Sequence, residues 1–80
     1  PVVPRGAALV AFVSEHYEAM LSFYGRELGV RIARKHLGWY ADAAGSDRAV
    51  RARMMVTTEA DAVLALIRAA FESPPVPVAA

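Results

Sequence analysis

Arg31, Arg34 and Lys35 are the residues of this 80-residue chain whose types and spacing most clearly ask for a ligand. On a helix of 3.6 residues per turn they share one side with Gly38 and Asp42, at i, i+3, i+4, i+7 and i+11. Gly29, Ala33, His36, Leu37, Tyr40, Ala43 and Ala44 fall opposite. Like charges crowded over one turn repel by roughly 0.2–0.5 kcal/mol per pair unless a polyanion or an acidic neighbour neutralises them. Arginine donates in a planar fork and lysine acts as a mobile point charge, so such a trio can bridge successive phosphates. Arg51 extends the same surface if the helix that carries it faces the same way. The bland alternative is a solvated helix face.

The charge distribution favours the polyanion. The net charge of +1 conceals a middle third, residues 26–53, with seven cations against three acids, for +4. Residues 1–25 carry −1 and residues 54–80 carry −2. A polyanion would be drawn to the middle.

Other residues with chemical potential are fewer. His16 and His36 fall on or beside the apolar sides of their helices, and two histidines without a cysteine or a well-spaced carboxylate make a poor metal site. Their expected role is a polar link between the first two helices. Trp39 lies about a quarter turn from the basic centre, where it either packs at the bundle edge or stacks on an unpaired base. Gly29 and Gly38 each weaken a helix by up to about 1 kcal/mol relative to alanine, so a close approach of another helix or of a phosphate backbone is expected there. The chain has no cysteine, which excludes disulfides, zinc-thiolate sites and a cysteine nucleophile and fits a cytoplasmic protein. No catalytic residue is expected, because no nucleophile-base pair, phosphate-cradling glycine loop or paired carboxylates occur. No apolar run approaches the roughly 18 residues of a membrane span.

Four helices must position these groups. Residues 1–6, with Pro1 and Pro4, read as an extended linker. From Ala7 to Tyr24 apolar residues recur at Leu9, Val13, Tyr17, Met20 and Tyr24, with Phe12 and Phe23 widening the stripe, and Gly25 supplies the stop. A second helix starts between Arg26 and Gly29 and ends before Gly45. Ser46 or Asp47 caps a third over Ala49 to Val56, and Thr57 or Thr58 caps a fourth that turns Val63, Leu66, Ile67, Ala70 and Phe71 inward. The helical domain spans 7–73, and 74–80 reads as a disordered tail. The expected fold is all-α, a small antiparallel four-helix bundle with a core of Leu9, Val13, Tyr17, Met20, Leu37, Tyr40, Leu66 and Phe71.

The run GRELGVRIARKHLGWY, preceded by HYEAMLSFYG, resembles the C-terminal helical domain of bacterial tRNA-dihydrouridine synthases. The residues that carry the likeness are His16, Tyr24, Gly25, Gly29, Arg31, Arg34, Lys35, His36, Trp39 and Tyr40. The resemblance implies a tRNA-binding domain appended to an FMN-binding (β/α)8 barrel, which reduces uridine to dihydrouridine with NADPH as electron source. Flavin and nicotinamide would then bind the barrel and not these residues. Arg31, Arg34, Lys35 and Arg51 would contact RNA, with Trp39 available for stacking. Two other readings compete: a protein-interaction module that uses the basic face, and a DNA-binding helix-turn-helix. The second helix lacks the Asn and Gln base readers of a recognition helix, so DNA is not the expected partner.

Overall fold

The computed structural model describes residues 6–72. The linker expected at 1–6 is seen only at Gly6, and the tail lies outside the described residues. Four helices follow one another, α1 (Ala7–Tyr24), α2 (Arg26–Ala44), α3 (Arg48–Val56) and α4 (Ala60–Phe71), and no strand occurs among the described residues. The fold is the expected all-α bundle. α1 and α3 each pack on both α2 and α4.

Glycines set the first two turns. One residue, Gly25, joins α1 to α2 at φ 87°, a left-handed region where a side chain would be strained. Its N–H donates to the Leu21 carbonyl at 2.8 Å. Chain reversal in one residue brings the helices together at once, and Gly29 makes that approach feasible. A Cβ on Gly29 would stand 2.8 Å from Leu21 Cα and 3.0 Å from the Met20 carbonyl oxygen. At the other end of α2, Gly45 is left-handed at φ 67°. The Ser46 N–H reaches the Ala41 carbonyl at 2.9 Å and the Gly45 N–H that of Asp42 at 3.3 Å, a Schellman closure.

Capping follows one of the two alternatives expected at α3 and departs from expectation at α4. Asp47, not Ser46, caps α3, and its carboxylate accepts from the Ala49 and Val50 N–H groups at 3.1 Å each. Ser46 instead donates to the Ala70 carbonyl at 2.9 Å and ties the α2–α3 turn to the end of α4. Neither Thr57 nor Thr58 caps α4, whose N-cap position is Glu59. Thr57 is the residue that closes α3: its N–H donates to the Arg53 carbonyl at 3.0 Å, and its hydroxyl turns back to donate to the same oxygen.

The core is drawn from all four helices: Leu9, Val13 and Tyr17 of α1; Val30, Ala33, Leu37 and Ala41 of α2; Met54 of α3; and Ala60, Val63, Ile67, Ala70 and Phe71 of α4. Met20, Tyr40 and Leu66, expected inside, pack at its edge and remain partly exposed. Phe12 and Phe23 are outside it altogether, 45% and 81% exposed. They lie on the flank of α1, away from the Leu9–Val13–Tyr17 line that meets α2 and α4.

Candidate nucleic-acid interface

The basic residues are distributed over two differently exposed parts of α2. Arg31 and Lys35 are exposed, whereas Arg34 is half-buried. Gly38, grouped with them by helical spacing, is buried, because α3 crosses over it. Its missing side chain leaves room for Arg51, whose Nη2 would lie 3.0 Å from a Cβ at that position, and for Met55, whose sulfur would lie 3.6 Å away. Between α2 and α3 this leaves an open groove of about 420 Å³, lined by Arg34, Lys35, Gly38, Trp39, Asp42, Arg51 and Met55. Arg34, Lys35, Trp39 and Arg51 are thus brought together, and Arg31 stands one turn before them.

Within that group the cations are not equivalent. Arg51 is gripped by Asp42 in a forked pair, Nε to Oδ1 at 2.8 Å and Nη2 to Oδ2 at 3.1 Å. This is the one ion pair among the described residues. Arg31, Arg34 and Lys35 therefore have no carboxylate partner among the described residues, while Arg51 shares its charge with one. Sequence reasoning placed Asp42 on the basic side without assigning it this partner, which only the packing of α3 on α2 reveals.

Trp39 is 58% exposed and packs against its own helix neighbours. The Lys35 ammonium lies 5.1 Å from its ring centroid, within cation–π range, and the His36 ring meets it edge-on at 5.5 Å. Its remaining surface faces the groove.

His16 is exposed, not buried. It does link α1 to α2, but through Tyr40: the Tyr40 hydroxyl and His16 Nδ1 are 3.0 Å apart. Phe12 stacks on His16 at 5.2 Å and meets Tyr40 edge-on at 5.9 Å, which closes a small aromatic cluster across the helix pair. His36 takes no part in that hydrogen bond. No cluster of three or more metal-ligating side chains exists among the described residues.

Beneath the basic side lies a feature the sequence did not announce. Tyr17 is fully buried, and neither its hydroxyl nor the buried Arg34 Nε has a hydrogen-bond partner among the described residues. Burial pushes the phenol pKa up from its ordinary value, and the charges of Arg26 and Arg34 pull it partly back. Tyr17 thus extends from α1 through the core to the side where these arginines lie.

The apolar groove between α1 and α2 is not built to hold a flavin phosphate. The most apolar groove, about 360 Å³ between α1 and α2, is lined by His16, Ala19, Met20, Phe23, Tyr24, Ile32 and His36. It offers no lysine, arginine, serine or threonine to hold a flavin phosphate. No described helix is long and apolar enough to cross a membrane.

Comparison with known proteins agrees with the motif. The family model of dihydrouridine synthase (Dus) matches residues 1–74. The chain is 63% identical over 71 residues to a "Probable tRNA-dihydrouridine synthase" of Rhodobacter capsulatus, covering 89% of this chain and 21% of that protein. It is 55% identical over 38 residues to the Rickettsia conorii protein of the same description, covering 48% of this chain and 12% of that one. It is 46% identical over 68 residues to tRNA-dihydrouridine synthase B of Xanthomonas axonopodis pv. citri, covering 80% of this chain and 20% of the relative. No solved structure matches it. The chain spans about a fifth of the length of the first and third of these relatives. Because the match covers nearly all of the helical bundle and every residue of the Gly25–Tyr40 motif, the chain belongs to the dihydrouridine synthase family.

Proposed function

We propose that this bundle is the tRNA-binding domain of a flavin-dependent tRNA-dihydrouridine synthase. The reading is carried by how the motif residues divide. Gly25 and Gly29 build the α1–α2 hairpin, and His16 and Tyr40 hydrogen-bond across it. Arg31, Arg34 and Lys35 have no side-chain hydrogen-bond partner among the described residues, and they line or border a groove beside an exposed tryptophan. Cations that track a phosphate backbone next to an aromatic face are a common arrangement for RNA binding. Folded tRNA is read largely by shape and backbone, which suits a rigid helical platform.

On this reading the bundle holds tRNA while a uridine is reduced elsewhere on the enzyme. FMN, and NADPH as the electron source, belong to the rest of the polypeptide, an N-terminal barrel. The setting is the cytoplasm, where tRNA is modified. Arg51 contributes least to RNA binding, because Asp42 already occupies its fork.

The test is a gel-shift titration across salt with folded tRNA and duplex DNA as separate probes. Binding to tRNA that weakens steeply with salt and exceeds binding to DNA is expected. No tRNA affinity at low salt would turn the reading toward a protein-docking role for the basic groove.

A further inference from the structure

The forked pair of Asp42 and Arg51 leaves hydrogen-bonding capacity unused. Oδ1 accepts from Nε at 2.8 Å and Oδ2 from Nη2 at 3.1 Å, and each carboxylate oxygen has a second lone pair to offer. Arg51 likewise spends only part of its donor set in the fork. The Asp42 side chain is 63% exposed. At the Oδ2–Nη2 end a charged acceptor and a donor therefore stand side by side on a pair that solvent reaches. One turn earlier on α2, at i−3 from Asp42, the exposed Trp39 lines the same groove, and Lys35 holds its ammonium 5.1 Å from the indole centroid. Cation, aromatic face and acceptor–donor edge thus follow one another along one side of α2, in a groove roomier than a single planar base requires.

We propose that this groove seats one unpaired nucleotide of an RNA strand and that Asp42, held by Arg51, selects a base bearing an exocyclic amino group and rejects uracil. The base stacks on Trp39. Stacking of a base on an aromatic ring is stronger than an exposed cation–π contact, so the base displaces the Lys35 ammonium, which is then the cation nearest to its phosphate. The base edge meets the Asp42–Arg51 pair. Cytosine and adenine each place an amino donor beside a ring-nitrogen acceptor, which matches Oδ2 and Nη2, and guanine matches them with N1–H and O6 while its amino group also faces the carboxylate. Uracil has a single donor, N3–H, with a carbonyl on either side of it. Any pose that brings N3–H to Oδ2 also sets a carbonyl oxygen against the carboxylate. The negative charge in an otherwise basic groove is thereby a selectivity element: it weakens the groove's hold on bare phosphate and gives that hold back only for a base that can donate. A site that refuses uracil also leaves uridines free for another part of the enzyme.

This inference rests on the RNA-binding reading, and the two are tested on different probes. The pentaribonucleotides UUCUU and UUUUU have the same length and charge, and their variable bases have the same ring size, so phosphate contacts and stacking largely cancel between them. Their affinities for the 80-residue chain are measured at low salt by fluorescence anisotropy of an end label, and the emission of Trp39, the single tryptophan, reports where the strand sits. UUCUU should bind about fivefold or more tightly than UUUUU and quench Trp39. Asp42→Ala should bring the two affinities together while UUUUU binds as well as before or better. Equal affinities for the parent chain would overturn the proposal, as would a preference for UUCUU that survives in Asp42→Ala, or binding that leaves Trp39 emission unchanged. Free cytidine monophosphate that competes at the same concentration as UUCUU would overturn it in favour of a mononucleotide site. Absence of pentanucleotide binding would overturn it too, and the gel shift with folded tRNA then shows separately whether the RNA reading falls with it.

Discussion

Gly38 of α2 lies directly beneath the guanidinium of Arg51, close enough that a Cβ there would stand 3.0 Å from Nη2. The neighbour in the way is the far end of a flexible side chain. Its salt bridge to Asp42 is solvent-exposed, at 36% and 63% side-chain exposure, and such pairs contribute about 0–1 kcal/mol. Replacing glycine inside a helix gains roughly 0.5–1 kcal/mol. Gly38→Ala should therefore change stability by less than about 1 kcal/mol in either direction. At Gly29 the obstacle is the Leu21 backbone at 2.8 Å, which cannot swing aside. Overpacking costs about 1–3 kcal/mol, so Gly29→Ala should be clearly destabilising despite the better helix former. Urea midpoints followed by helical circular dichroism would check the contrast, which fails if both variants behave alike.

Tyr17 gives a pH-dependent test. Its hydroxyl is buried without a partner, a situation that costs about 1–3 kcal/mol, so Tyr17→Phe should raise stability at neutral pH. The phenol pKa is raised in the folded state, chiefly by desolvation. The folded state thus favours the neutral form. That advantage is fully present below the unfolded value of 10.0 and is lost as pH rises through the higher folded one. The stability gap between Tyr17→Phe and the parent should widen above about pH 10. A constant gap from pH 7 to pH 11 would show that the hydroxyl is already satisfied.

Much of the bundle was legible because glycine and aspartate act locally. Gly25 and Gly45 end helices at the positions their conformational freedom allows, and Asp47 caps the two amides that follow it in sequence. The Thr57 hydroxyl could serve either the helix behind or the helix ahead, and chain order does not decide between them. Phe12, Phe23 and His16 were misplaced because a wide apolar stripe in sequence does not say how many of its lanes another helix will cover. The Asp42–Arg51 pair depends on where α3 crosses α2. That crossing is set by Gly38 and Met55 packing and leaves no periodic trace. The Arg31–Arg34–Lys35 cluster was legible as charge. Its division into an exposed pair and a half-buried Arg34 above Tyr17 was not, since it depends on the depth to which α2 sinks into the bundle.

The Tyr40 hydroxyl bond to His16 joins α1 and α2 at the surface, and its 3.0 Å length is that of an ordinary hydrogen bond. Because His16 is exposed, losing the bond leaves no buried polar group behind. Tyr40→Phe should cost only about 0.5–1.5 kcal/mol, with the Phe12 contact retained. A thermal unfolding scan that showed a loss of several kcal/mol would mean the aromatic cluster depends on the hydroxyl.

The RNA reading makes a prediction about charge that distinguishes residues within one groove. If Arg31, Arg34 and Lys35 each neutralise a tRNA phosphate, replacing all three with alanine should flatten the slope of log affinity against log salt by roughly 2–3 units, from about 0.7–0.9 per contact. Helix content should hold, because alanine is the better helix former. Arg34→Lys should still weaken binding if the contact uses the guanidinium fork, which an ammonium cannot reproduce. Arg51→Ala should leave the slope almost unchanged, since the fork of Arg51 is engaged by Asp42 at 2.8 and 3.1 Å. Asp42→Ala frees that arginine beside Arg34 and Lys35, and should steepen the slope by up to about one contact's worth. A triple variant that binds tRNA with the parental salt slope would remove the basic groove from the RNA interface. An Arg51→Ala variant that loses as much as Arg34→Ala would show that Asp42 releases its partner when tRNA arrives.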